Sequence, residues 1–148
     1  MRTPYSPTTV RNILCVFPRY TPSFGTFHHA YAFLGGVRAF MPPQGLLLIA
    51  AYLPKSWRVR FVDENAQAAT PEDFRWADAV LVSGMHVQRP HIEDIMRRAH
   101  ACGRPVAVGG PSVSGCPEMY PEADFLHVGE PSFYAPARSL PPVLHADT

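Results

Sequence analysis

Four short stretches of this sequence gather residue types that bind anions or handle protons. Gly109-Gly110-Pro111-Ser112 removes two side chains in a row, so the backbone can turn sharply and approach a ligand, and Ser112 adds a hydroxyl. Ser83-Gly84-Met85-His86-Val87 combines a hydroxyl, a bare backbone position and an imidazole. Asp63-Glu64-Asn65 sets two carboxylates side by side, and Gly129-Glu130 joins a glycine to an acid. Each has a plainer reading. At Gly109-Gly110 a ligand site and a simple strand-to-loop turn are equally open on the residues alone. Asp63 and Glu64, as neighbours on a strand, point to opposite sides, which favours solvation or helix capping over an acid–base pair. His86 reads as a hydrogen-bond donor at a rim. His28-His29 reads as an exposed loop pair rather than a metal site. Nothing near Cys116 in sequence lowers its thiol pKa.

The elements that must position these groups alternate. Asn12-Ile13-Leu14-Cys15-Val16-Phe17 is a continuous apolar run, the pattern of a strand buried on both faces. Residues 18–43 form a long connection with many aromatics, which must cover a core edge, a partner or a flat ligand. A helix is expected from Leu46 to Leu53, apolar nearly all round and therefore packed on more than one side. Arg58 to Asp63 alternates as a strand nearer the sheet edge. Thr70-Pro71-Glu72-Asp73 starts a short helix with Thr70 as its N-cap. Ala79 to Val82 is the third strand. Ile92, Ile95, Met96 and Ala99 fall at helical spacing, and Gly103 closes that helix. Val106 to Val108 is the fourth strand, Pro117 to Tyr120 a helical turn, and Asp124 to Val128 the fifth strand.

Strands and helices in alternation predict an α/β fold: a five-stranded parallel sheet with helices on both faces. The strand ends then share one rim, where ligands of such sheets bind. Residues 1–10 read as a mobile lead-in, 11–130 as the domain and 131–148 as a proline-rich tail. Pro131, Pro136, Pro141 and Pro142 deny that tail a long helix, so the helix expected after the fifth strand is missing.

Composition narrows the function. The chain has 148 residues, enough for one domain, and 47% hydrophobic content provides a core. Thirteen basic against 12 acidic side chains give a net charge of +1, so no polyanion partner is implied. No basic stripe points to nucleic acid, no apolar stretch reaches the length of a membrane span, and the N-terminus lacks the core of a signal peptide. A cytoplasmic protein is expected. Three scattered cysteines make no disulfide framework.

Five motifs in order carry a resemblance. They are Met41-Pro42-Pro43-Gln44-Gly45-Leu46 leading into Ala50-Ala51-Tyr52-Leu53; Val62-Asp63-Glu64-Asn65; Ala77-Asp78-Ala79-Val80-Leu81-Val82-Ser83-Gly84-Met85; Val108-Gly109-Gly110-Pro111-Ser112; and Val128-Gly129-Glu130. Together they resemble the N-terminal cobalamin (B12)-binding domain of B12-dependent radical S-adenosylmethionine (SAM) enzymes, from about Asn12 to Glu130. The resemblance implies a flavodoxin-like (Rossmann-like) sheet with cobalamin over the carboxyl rim. It implies that Ser83, Gly84, Met85, His86 and Val87 line the corrin or its tail. Gly109, Gly110, Pro111 and Ser112 would lie along the tail, and Glu130 would close the rim. The Asp-x-His-x-x-Gly of mutase-type cobalamin domains is absent after the first strand, so a protein histidine below the cobalt is not expected. Cys15, Cys102 and Cys116 lack the Cys-x-x-x-Cys-x-x-Cys spacing of the radical domain's iron–sulfur cluster. No catalytic centre is therefore expected in this chain, and a radical SAM domain or chain would be its partner. Two alternatives stay open: a flavodoxin-like domain for another ligand such as a nucleotide or flavin, or a truncated fragment with a structural or interaction role.

Overall fold

The computed structural model describes residues 11–37 and 41–129. The expected lead-in, Glu130 and the proline-rich tail lie outside the described residues, and so does any helix after the fifth strand. Five parallel strands form one sheet in the order β2-β1-β3-β4-β5. They are β1 Asn12–Phe17, β2 Arg58–Asp63, β3 Ala79–Ser83, β4 Val106–Gly109 and β5 Phe125–Leu126. Helices α1 (Gln44–Tyr52), α2 (Pro71–Trp76), α3 (Arg89–Ala101) and α4 (Pro111–Gly115) connect them.

The pattern of burial follows from this order. β1 lies inside the sheet with helices above and below, so Ile13 to Phe17 are all buried. Leu14, Val16, Val80, Val82, Val106 and Val108 point to one face and pack under Phe74 of α2, Ile92, Ile95, Met96 and Ala99 of α3, and Val113 of α4. Ile13, Cys15 and Phe17 point to the other and meet Leu46 of α1. β2 is an edge strand, which is why its outer residues alternate rather than run apolar.

Local rules set the helix ends. The Thr70 hydroxyl accepts from Asp73 N–H at 3.2 Å and the Asp73 carboxylate accepts from Thr70 N–H at 2.9 Å, a reciprocal cap. These bonds from Thr70 hold the Asp73 carboxyl below its ordinary value. Pro90 falls in the first turn of α3, where its missing N–H costs nothing.

Three expectations need correction. α1 is apolar all round but packs on one side only: Leu46 is buried, whereas Leu47, Leu48 and Tyr52 are exposed. An apolar surface on a helix signals packing only on the side where something lies against it. Residues 111–115 are helical rather than loop, because Pro111 fixes φ in a helical range directly after the turn at Gly110. β5 is two residues long, not five, because the Asp124 carboxylate turns in to accept from Val106 N–H at 2.7 Å and to pair with His100 at 2.9 Å.

Candidate functional site

The rim is assembled where the chain reverses direction. From β1 the chain passes to α1 on one face, and from β3 it passes to α3 on the other, so the connections diverge between two neighbouring strands. A crevice opens at such a switch point. Pro18, Ser83-Gly84 and Gly109-Gly110 end β1, β3 and β4 around it.

The space around both rim glycines is tight. A Cβ on Gly84 would lie 3.0 Å from Pro18 Cγ, 3.1 Å from Ile92 Cδ1 and 3.2 Å from Gln88 Oε1. A Cβ on Gly110 would lie 2.4 Å from Ser83 Oγ and 3.3 Å from Gly84 N, and Gly110 has φ 89° and ψ −173°, a region essentially restricted to glycine. Ser112 N–H donates to the Gly84 carbonyl at 3.2 Å, which fastens the two glycine turns together.

Gln88 locks the first turn. It is fully buried; its Oε1 accepts from Met85 N–H at 2.8 Å, and its Nε2 donates to the Pro18 carbonyl. One side chain thus ties the end of β3 to the end of β1. Asn65 does the same between β2 and β1, accepting from Tyr20 N–H at 2.9 Å while its own N–H and amide group bind Asp63. A cleft of about 170 Å³ lies beside this tie, lined in part by Arg19, Tyr20, Tyr31 and Asn65. Burial, then the nearby Asp63 carboxylate, raises the Tyr20 phenol's pKa. Arg19 Nε donates to His91 Nδ1 at 3.1 Å, joining the loop after β1 to α3. Burial first, and then the Arg19 charge, holds the His91 pKa below its ordinary value.

The rim brings together nine of the ten residues singled out from the sequence. Gly84 is buried at its floor, and Ser83, Gly109 and Gly110 are half-buried. Met85, His86 and Val87 stand at the surface, with Met85 40% and Val87 51% exposed. Pro111 is exposed. Ser112 is buried: its hydroxyl shares a 2.5 Å hydrogen bond with Tyr120 and lies 3.4 Å from His86 Nδ1. Asp63 and Glu64 do not form a pair of reacting carboxylates. Glu64 meets Arg98 at 2.7 Å and accepts from Ala69 N–H, while Asp63 closes the turn at Asn65. Among the described residues no group of three His, Cys, Asp or Glu side chains is placed to hold a metal ion. No helix among them is long and apolar enough to cross a membrane.

A family model described as the B12 binding domain matches residues 32–135. The chain belongs to the B12-binding domain family. It is 68% identical over 125 residues to the hopanoid C-2 methylase of Rhodopseudomonas palustris (strain TIE-1), a match that takes in 84% of this chain and 24% of that protein. It is 34% identical over 119 residues to an uncharacterized methyltransferase of Synechocystis sp., 79% of this chain and 22% of that one. The chain thus spans about a quarter of the length of the curated relatives it matches. The B12-binding match extends over β2 to β5 and includes both glycine turns.

Sequence reasoning missed Gln88, Tyr120, Asn65 and the Arg19–His91 contact. Gln88 carried a usable signal, since a glutamine three residues after a turn residue matches the spacing of a side chain that caps a backbone N–H. Tyr120 carried none. Its partner lies across a turn whose helical form was itself unread.

Proposed function

We propose that this chain holds cobalamin at its glycine rim and presents it to a larger methyl-transferring polypeptide. The observation that carries the proposal is the pair of close-packed turns at Gly84 and Gly110, with Gly110 in a backbone conformation that favours glycine, at the switch point of a B12-binding domain. Backbone N–H groups at such turns approach the phosphate and amides of the cofactor's tail. Gly109, Gly110 and Pro111 would lie along that tail. Ser83 and Gly84 would form its floor, and the exposed Met85, His86 and Val87 would lie against the corrin. Ser112, buried under Tyr120, would act through His86, and Glu130 would close the rim. When bound, cobalamin supplies a cobalt centre able to carry a one-carbon group. The residues of this chain bind and orient it and shield one side from water. No histidine of this chain is assigned to the cobalt, and the catalytic step is assigned to a radical SAM polypeptide acting as partner. Both relatives named above are a methylase or a methyltransferase by name, which supports methyl transfer as the reaction served.

The test is a titration of the purified chain with hydroxocobalamin, followed by gel filtration and a visible spectrum of the protein peak. Retained cofactor, lost on Gly110→Leu in a variant that keeps its far-UV spectrum, is expected. A folded but colourless wild-type peak would sink the proposal.

A further inference from the structure

Two hydroxyls and an imidazole meet beneath the rim, and the hydrogens they carry fix a direction. Tyr120 follows the helical turn Pro117–Met119 and is 1% exposed, with its ring in the core. Its hydroxyl lies 2.5 Å from Ser112 Oγ, which in turn lies 3.4 Å from His86 Nδ1. The Ser112 backbone is held on both sides: its N–H donates to the Gly84 carbonyl at 3.2 Å, and its carbonyl accepts from Cys116 N–H at 3.1 Å. Among the described residues the Tyr120 hydroxyl has no partner but Ser112, and the Ser112 hydroxyl has none but Tyr120 and His86. Tyrosine and serine each bring one hydroxyl hydrogen, and a neutral imidazole brings one N–H and one bare nitrogen. If Ser112 donated to Tyr120, the tyrosine hydrogen would be buried without an acceptor. If His86 Nδ1 carried the imidazole hydrogen, one of the two hydroxyl hydrogens would be stranded in the same way. A buried donor left unpaired is costly. One arrangement uses every hydrogen: Tyr120 donates to Ser112, and Ser112 donates to a bare His86 Nδ1. The imidazole hydrogen then sits on Nε2. His86 is exposed, so with Nδ1 turned toward buried Ser112 the Nε2 end of the ring faces outward at the rim.

We infer that Tyr120 and Ser112 are positioning residues that hold His86 as an Nε2–H donor, offered to an amide carbonyl on the corrin's side chains. A donor whose tautomer and ring orientation are set before the ligand arrives loses little freedom on binding. The ligand named here rests on the proposed function; the direction of the hydrogen-bond chain does not.

Two measurements test it. The first reads the ligand-free chain by a proton–nitrogen correlation spectrum of the imidazoles at about pH 8, where histidine is ordinarily neutral, with the His86 signals assigned by their loss in His86→Gln. The wild type should show a protonated Nε2 and a bare Nδ1, and Ser112→Ala should move the Nδ1 signal toward the average of the two tautomers. A protonated Nδ1 in the wild type, or a ring unmoved by Ser112→Ala, overturns the inference. The second is the affinity for hydroxocobalamin. His86→Ala and His86→Asn should weaken it about 3- to 10-fold, whereas His86→Gln, whose amide nitrogen takes the place of Nε2, should stay within about twofold. Ser112→Ala and Tyr120→Phe should each weaken binding about 2- to 5-fold in the wild-type background and leave that of His86→Ala unchanged. Equal losses in both backgrounds mark a structural role and overturn the inference, as does rescue by asparagine in place of glutamine. A wild type that retains no cobalamin defeats the proposed function and the ligand named here, while the imidazole spectrum still decides the direction of the chain.

Discussion

Gly110→Ala is the most direct probe of the rim, and its cost can be built from two parts. The first is conformational. At φ 89° and ψ −173° an L-residue with a Cβ is strained by about 1–3 kcal/mol. The second is steric. The new Cβ would sit 2.4 Å from Ser83 Oγ and 3.3–3.4 Å from the backbone N and O of Gly84. The serine hydroxyl can rotate away at the cost of about 1 kcal/mol, but the Gly84 backbone is held by the Gln88 and Ser112 bonds and has little freedom to move. The total is about 2–4 kcal/mol, or roughly 6–15 °C in Tm for a chain of this length. Gly103→Ala is the matched control. Gly103 has φ 67°, but nothing lies within 4 Å of a Cβ there, so only the conformational part of about 1–2 kcal/mol applies. Urea denaturation of the wild type, both single variants, Ser83→Ala and the Ser83→Ala/Gly110→Ala pair gives the separation. Ser83→Ala should recover about 1 kcal/mol in the Gly110→Ala background and nothing in the Gly103→Ala background. A Gly110→Ala cost no larger than that of Gly103→Ala would refute the crowding described at the rim.

Gln88→Leu should cost about 1–3 kcal/mol by chemical denaturation, because it leaves the half-buried Met85 N–H without its partner and the Pro18 carbonyl with only the long 3.5 Å bond from Asn65 Nδ2, and Gln88→Glu should not restore the bond to Pro18. Burial pushes the Cys15 thiol pKa up to about 12, so native protein at pH 8 should show no reaction at Cys15 with a thiol-specific reagent, and one further thiol should titrate on unfolding. Because the folded-state pKa of His91 is lowered by burial and by Arg19, with the Asp94 and Glu64 carboxylates opposing, its neutral form favours the fold. That contribution is complete above the ordinary histidine value and is lost as pH falls through the lowered one. His91→Gln should flatten the drop in stability between pH 7 and pH 5, and an unchanged pH profile would refute a contribution of His91 titration to that drop.

Much of the fold was legible because it is written in short-range patterns. β1 is buried on both faces, and an unbroken apolar run admits few other readings in an α/β chain. The reciprocal cap at Thr70 and Asp73 depends only on residues three apart, so the start of α2 was also plain. The rim glycines were legible as turns but not as necessities. What crowds a Cβ at Gly110, beyond the strained backbone there, is Ser83, 27 positions away and brought near only by the pairing of β3 with β4. Gln88 was legible only in part: its spacing to Met85 signals a cap, but its second partner, Pro18, lies 70 residues off.

The misreading of α1 shows where sequence patterning loses its meaning. A helix with apolar residues on every side predicts burial on every side, and that inference holds only if the chain in hand supplies all the covering surfaces. Here one face of α1 meets the sheet through Leu46, while Leu47 and Leu48 stay exposed. The same logic applies to Phe125 on β5, a large aromatic that is 42% exposed beside Leu126, which packs against the core.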